Sequence, residues 1–284
     1  MKNIDLSYLE GKKVTVLIEK ADSLFKENLE GKIHAHKIYN LILDQIPIKY
    51  DETNSHVLRG ILRQKIWNCE RNFFWNEKFF SQSGQDRILK DYFFKDKKKG
   101  FFVEIGAFDG ITGSNCFYFE NIQAWDGIAV EASKIQFSKL KKNRKCKLFN
   151  EAMSSKENEV EFMEVQEGLT QMSGINDENY IAKEVIDKDI NSKVEKFKTK
   201  TVTFEKIIPN NNIIDYLSLD IEGGEMDILE SINFNKYKIK VISVENNRPD
   251  KINFDSFFKK KNYSFFDRVG QDEIFFNNDF FKLN

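Results

Sequence analysis

Beyond residue 100, short apolar runs alternate with longer amphipathic segments. That alternation constrains the fold most, because it is the pattern of a parallel sheet covered by helices. Runs at 101–105, 127–130, 147–149, 216–219 and 239–244 read as strands in chain order, and 114–121, 134–142, 224–231 and 253–261 as helices between them. The last two runs, 263–268 and 273–276, flank Val269-Gly270-Gln271-Asp272 and read as an antiparallel hairpin. Five parallel strands are thus followed by two paired in the opposite sense.

Residues 10–80 carry a different signal. Ile33, Ile38, Leu41 and Ile42, then Leu58, Ile61, Leu62 and Ile66, have helical spacing and predict two or three helices broken near Pro47. The stretch ends in Trp67, Phe73, Phe74, Trp75, Phe79 and Phe80, more aromatic surface than a thin helical layer buries alone. Docking of 1–80 against the main domain or a second subunit is expected, with a homodimer through these helices as one outcome. Residues 166–196 are polar and weakly periodic and read as a functional loop or lid, the alternative being a disordered insertion.

Charge and cysteine usage narrow the function. The 44 basic and 45 acidic residues nearly cancel, so nothing in the global balance favours nucleic acid or an anionic membrane as partner. The cluster Lys141, Lys142, Arg144 and Lys145 reads as a solvated helix face, with contact to acceptor phosphates as the alternative. No window approaches the ~18 apolar residues of a membrane-spanning helix, and the first residues lack the apolar core of a secretory signal, so a soluble cytoplasmic protein is expected. Cys69, Cys116 and Cys146 are odd in number and far apart, which predicts reduced, buried thiols. His34, His36 and His56 all precede the sheet region, so histidine is not the expected base for chemistry there.

The expected chemistry sits at the strand ends. Glu104-Ile105-Gly106-Ala107-Phe108-Asp109-Gly110 places two glycines at a sharp turn after a strand, with an acidic residue suited to an amino acid ammonium group. This spacing is not the dinucleotide fingerprint. Glu131 ends the next strand, about one βαβ unit on, where a carboxylate accepts hydrogen bonds from both ribose hydroxyls. Asn150 and Glu151 end the third and are placed to read an adenine edge. Asp220 and Glu222, followed by Gly223 and Gly224, end the fourth, and Glu245 with Asn246 the fifth.

This series of motifs resembles the FkbM family of S-adenosylmethionine-dependent methyltransferases over residues 81–277. The resemblance rests on Ser81-Gln82-Ser83-Gly84-Gln85-Asp86, Val103 to Gly110, Val130-Glu131-Ala132-Ser133, Ser218 to Glu225, Ser243 to Asn247 and Asp272-Glu273-Ile274-Phe275. It implies a seven-stranded Rossmann-like α/β methyltransferase sheet with its last strand antiparallel, in a domain expected over 81–284; the helical region at 1–80 lies outside the resemblance and is read from apolar spacing alone. It further implies that Glu104, Gly106 and Asp109 line the methionine and ribose side of S-adenosylmethionine. Glu131 and Ala132 would meet the ribose and Asn150 and Glu151 the adenine, while Ser83, Gly84 and Gln85 close over the donor. Ser173-Gly174-Ile175 would lie near the acceptor.

Methyl transfer to an alcohol needs an in-line arrangement and a route for the hydroxyl proton. Asp220, Glu222 and Glu245 are the base candidates, and Asp220 also borders the donor. Alternatively, a divalent cation, Mg or Mn, held by Asp220, Glu245 and Asn246 lowers the hydroxyl pKa, as in metal-dependent catechol O-methyltransferases of related fold. The expected acceptor is a sugar hydroxyl of a nucleotide-activated sugar or surface-polysaccharide precursor, as in carbohydrate modification for a capsule. A small non-sugar metabolite, or donor binding without catalysis in a larger assembly, are the competing readings.

Overall fold

The computed structural model describes residues 12–50, 55–73, 78–178, 180, 182–208 and 213–282. Its strands are β1 (Phe101–Ile105), β2 (Asp126–Val130), β3 (Lys147–Phe149), β4 (Ala152–Met153), β5 (Glu159–Glu167), β6 (Gly174–Ile175), β7 (Lys193–Val202), β8 (Ile213–Leu219), β9 (Lys238–Glu245), β10 (Tyr263–Val269) and β11 (Asp272–Asn277). The helices are α1 (Lys12–Phe25), α2 (Leu29–Leu43), α3 (Ser55–Glu70), α4 (Gln85–Leu89), α5 (Phe117–Asn121), α6 (Lys134–Asn143), α7 (Lys183–Ile186), α8 (Phe204–Ile207), α9 (Glu225–Ser231) and α10 (Phe254–Lys259). None is long and apolar enough to cross a membrane.

Seven strands form the main sheet in the order β10-β11-β9-β8-β1-β2-β3. β1, β2, β3, β8 and β9 pair in parallel, and the last strand, β11, runs antiparallel to both β9 and β10. The hairpin expected from Val269 to Asp272 therefore inserts its second strand beside β9, and β10 regains the common direction at the edge. Because successive side chains alternate between faces, Val103, Ile105, Ile128, Val130, Leu217 and Leu219 enter one core while Phe102, Ala129 and Tyr216 enter the other. Both faces are covered, which is why the strands read as continuous apolar runs.

Two expectations change. The first helix after β1 starts at Phe117, because Ser114 Oγ accepts hydrogen bonds from the Cys116 and Phe117 backbone N–H groups and holds residues 114–116 in a bend ahead of it. The polar stretch 166–196 is not one long loop, since its ends belong to an antiparallel ribbon of β5 and β7, joined by β6 and β4 into a second sheet. Apart from β6, the described residues between 168 and 192 form the excursion at its tip. Lys198–Glu159 and Lys196–Glu161 pair diagonally at 2.9 and 3.4 Å, and Lys193–Glu167 pairs directly across at 2.8 Å, along the ribbon's exposed face.

The amino-terminal helices dock on the β10–β11 edge. Arg59 makes a bidentate pair with buried Asp267 at 2.6 and 2.8 Å, and Arg63 reaches the same carboxylate at 3.0 Å. Gly60 lets α3 meet the hairpin turn, since a Cβ there would collide with the Gly270 carbonyl, and Gly270 N–H donates to Gly60 O at 3.1 Å. The aromatic load divides accordingly. Trp67 packs on Gly84 and Phe79, Phe79 stacks on Tyr118, and Phe80 meets Phe117, whereas Phe73 stays among the helices. Phe74 and Trp75 lie outside the described residues.

Asp267→Ala leaves two guanidinium groups without their shared buried carboxylate. The expected cost is about 3 kcal/mol of stability, read as a lower urea midpoint. An unchanged midpoint would show that the helical layer is not anchored at this carboxylate.

Candidate active site

After β3 the chain makes the ribbon and returns as β8 on the opposite side of β1, so strand order reverses between β1 and β8. Loops leaving adjacent strands in opposite directions open a crevice at the carboxyl edge. Here it is a cleft of about 1000 Å³, the open space at its mouth included. Gly106, at φ +84°, sits where the Asp220 carbonyl occupies the space of a Cβ. Gly106 and Ala107 N–H donate to Val130 O, and Asp220 N–H to Ile105 O, each at 3.0 Å, which pins three strand ends together. Phe108 and Glu222, both with positive φ, border this cleft, as strained residues do when the surrounding structure holds them.

Glu104 lines the cleft, but its carboxylate is committed elsewhere. One oxygen accepts from Ser114 Oγ at 2.7 Å and from the Asn115 and Cys116 N–H groups, and the other receives buried Arg144 at 2.6 Å. Arg144 also pairs with Glu120 at 2.5 Å. Its side chain is enclosed, which corrects the reading of Arg144 as part of a solvated or phosphate-facing surface. Asp109 turns away from the cleft too, its oxygens accepting from Ile111 N–H, Thr112 N–H and Thr112 Oγ1 at 2.7 to 2.9 Å. It shapes the turn after Gly106 instead of lining the donor's path.

At the end of β2, Glu131 faces the cleft with Ala132 beside it. Its two oxygens accept from Phe108 N–H at 2.8 Å and Ser133 N–H at 2.7 Å, which fixes the carboxylate and leaves one lone-pair direction on each oxygen. Burial, opposed by those two N–H groups, pushes its pKa up to about 7. Glu151 lines the cleft, whereas the Asn150 amide is spent on the Glu131 carbonyl at 2.8 Å and the Ala132 carbonyl. Asn150 therefore holds the Glu131 loop and does not reach the cavity wall.

The leading segment splits similarly. Gln85 lines the cleft and donates to Asp272 at 3.1 Å, while Ser83 hydrogen-bonds Gln64 and Gly84 packs on Trp67. Ser83 and Gly84 thus face α3, and the neighbouring Gln82 takes their expected place on the wall.

Carboxylates gather where β8 and β9 end. One oxygen each from Asp220, Glu222 and Glu245 lies within 4.8 Å of the others. Desolvation by the surrounding protein and the nearby Glu222 raise the Asp220 pKa well above the usual range although its side chain is exposed, and burial with Asp220 does the same to Glu245. Burial and Glu225 lift Glu222 to about 7. Such a group relieves its repulsion by holding a proton or a cation. Asn246 does not join it, because its amide donates to Glu273 at 2.9 Å and the Ile252 carbonyl, and its oxygen accepts from Arg248 N–H. Glu222 replaces Asn246 in the candidate cation set.

Further wall residues have no role in the sequence reading, apart from Ser173, which the resemblance sets near the acceptor. Asn115 and Asp272 meet across the cleft at 3.0 Å, and burial pushes the Asp272 pKa up to about 6. Thr170, Gln171, Ser173 and Phe162 come from the ribbon and its tip. Of these only Asp272 and Ser173 belonged to recognised motifs, and the others carry no local signal of their position.

The Methyltransferase FkbM domain matches residues 104–265, more than half of the chain. Among solved structures, the chain is similar to methyltransferase FkbM from Methylobacillus flagellatus KT at 11% identity and a TM-score of 0.45, over 84% of this chain and 57% of that one. It thus spans little more than half of that protein. It is also similar to the N-terminal domain of human METTL16 (9% identity, TM-score 0.37, 86% and 94% covered). A mutant of MtNAS in complex with S-adenosylmethionine is a further match (9%, 0.38, 95% and 99%). No curated protein matches in sequence.

Glu104→Gln breaks a buried ion pair and is expected to cost about 3 kcal/mol, seen as a lower melting temperature. A melting temperature equal to the parent's would show that Arg144 does not depend on Glu104. The raised carboxylates set a pH dependence. Between about pH 4.5, the ordinary glutamate value, and 7, the folded chain keeps a proton on Glu131 that the unfolded chain has released, so stability falls as pH rises. Melting of the ligand-free protein between pH 5 and 7.5 should show this fall, and a shallower one in Glu131→Gln. Equal slopes in the two would remove Glu131 as a source.

Proposed function

Because the chain belongs to the FkbM methyltransferase family, we propose that it transfers a methyl group from S-adenosylmethionine to a hydroxyl of a sugar, carried as a nucleotide-activated sugar or surface-polysaccharide precursor. One observation carries the reading. A single cleft at the sheet's switch point has an oriented carboxylate, Glu131, on one wall and the Asp220–Glu222–Glu245 cluster near another. The remaining lone pairs of Glu131 suit two vicinal ribose hydroxyls, and Ala132 and Glu151 border the adenine side. The sugar acceptor is supported by the uncharged polar wall of Gln82, Thr170 and Gln171, amides and a hydroxyl that complement a polyol.

The reaction asks little covalent chemistry of the protein. The acceptor oxygen forms a bond to the methyl carbon as the carbon–sulfur bond breaks, giving a methyl ether and S-adenosylhomocysteine, and the hydroxyl proton passes to a carboxylate. Glu222, with its pKa near 7, is matched to that transfer at neutral pH, and Asp220 and Glu245 share the resulting charge. The ribbon tip, through Thr170 and Ser173, limits water at the acceptor side. A divalent cation such as Mg or Mn fits the three-carboxylate set and would lower the pKa of an acceptor hydroxyl.

Calorimetry with S-adenosylmethionine and S-adenosylhomocysteine tests the donor. Micromolar binding is expected, reduced at least about tenfold in Glu131→Ala, since hydrogen bonds to a charged group are worth roughly 1.5–3 kcal/mol. Glu222→Gln should keep donor binding and lose about 10²–10⁴-fold in turnover on a panel of nucleotide sugars. Full turnover in that variant rules Glu222 out as base, and full turnover after chelation rules out the cation. Failure of both donor ligands to bind ends the methyltransferase reading.

A further inference from the structure

The ribbon carries one carboxylate unlike its neighbours. Glu159, Glu161 and Glu167 of β5 are exposed and pair with lysines of β7, whereas Glu164 on the same strand is 3% exposed and makes no ion pair among the described residues. Its Oε1 instead accepts from Ser133 Oγ at 2.7 Å and from Ile135 N–H at 3.2 Å, where α6 begins. A carboxylate accepts and does not donate, so the one hydroxyl proton of Ser133 goes to Glu164, while its oxygen receives the Gln136 N–H at 3.1 Å. The hydroxyl is therefore fixed in direction. The backbone N–H of the same serine donates to Glu131 at 2.7 Å, so Ser133 bridges two carboxylates, one on the ribbon and one on the cleft wall.

The Ser133 N–H is one of the two hydrogen bonds that aim Glu131, the other coming from Phe108 N–H. Glu164 ties the connection between β2 and α6 to β5, whose Phe162, two residues back on the same face, lines the cleft. Resting on the reading of Glu131 as the carboxylate for the ribose, we propose that Glu164 is a positioning residue for the donor. By holding the Ser133 hydroxyl it keeps the Ser133 N–H on Glu131, and so orients the carboxylate that receives the two ribose hydroxyls. The ribbon thereby takes part in binding S-adenosylmethionine as well as walling the acceptor side. Its charge acts in the opposite sense, since Glu164 lies near enough to Glu131 to disfavour a second negative charge there. Removing that charge by itself favours the ionised, hydroxyl-accepting Glu131, so a loss of donor affinity on removing Glu164 reports lost orientation.

Calorimetry of the full chain with S-adenosylhomocysteine tests this without an acceptor. Glu164→Ala should weaken binding about tenfold, while Glu164→Gln, which keeps an accepting oxygen and drops the charge, should stay within about threefold of the parent. Because the effect passes through Glu131, adding Glu164→Ala to Glu131→Ala should cost less than about twofold more. If Glu164→Ala does not fold, Ser133→Ala, which removes the hydroxyl and keeps the N–H, is expected to weaken binding in the same way and with the same dependence on Glu131. Three results overturn the positioning role and leave the donor site standing: parent-like affinity in a folded Glu164→Ala or Ser133→Ala, Glu164→Gln as weak as Glu164→Ala, or an equal loss with and without the Glu131 carboxylate. Parent-like affinity in Glu131→Ala removes the ribose reading of that residue and this inference with it. Failure of the parent to bind S-adenosylhomocysteine overturns the donor reading itself.

Discussion

The Asp220 carbonyl rests where a side chain on residue 106 would otherwise lie, and the rest of the site depends on that contact. It sets how closely the ends of β1 and β8 approach. With Val130 O receiving two N–H groups from the Gly106 turn, it brings Glu131 and Asp220 to the walls of one cavity. Any side chain at 106 would push β8 outward and separate the donor wall from the carboxylate cluster. The crevice follows from strand order, but its width follows from a missing methyl group.

The acidic residues of the sheet and its cleft divide into two classes. Glu104, Glu120 and Asp267 are met by arginines at hydrogen-bond distance, so they anchor α6 to β1 and the amino-terminal helices to β10. Asp220, Glu222 and Glu245 crowd one another at the cleft, and their pKa values rise. Opposite charges at short range stabilise ionised forms, while like charges in a low dielectric favour a proton or a cation. A carboxylate available for function is therefore distinguished by the absence of a committed partner, a property of space and not of sequence.

Much of the fold was legible because a sheet buried on both faces leaves continuous apolar runs, and each main-sheet strand closes a segment ending in glycine, carboxylate or amide. The ribbon was not legible. β5 and β7 are long, but their alternation of glutamate and lysine reads as polar coil until the two strands are set side by side and the charges pair. Likewise Arg144 lies in a basic run that looks solvated, and only the fold brings Glu104 and Glu120 to it.

The sequence by itself determined the order of elements, the turns that require glycine, and the acidic residues at the ends of β1, β2, β8 and β9, since these depend on local periodicity and backbone sterics. Tertiary structure decided which of those residues remain open to a ligand. Glu131, Glu151, Asp220 and Glu222 stay on the cleft wall, whereas Asp109, Asn150, Ser83, Gly84 and Asn246 are spent on turns, capping contacts and helix docking. It also brought in Asn115 and Asp272, 157 positions apart. The reason is that a hydrogen bond is satisfied by whatever the fold places within about 3 Å, and no local pattern encodes that partner.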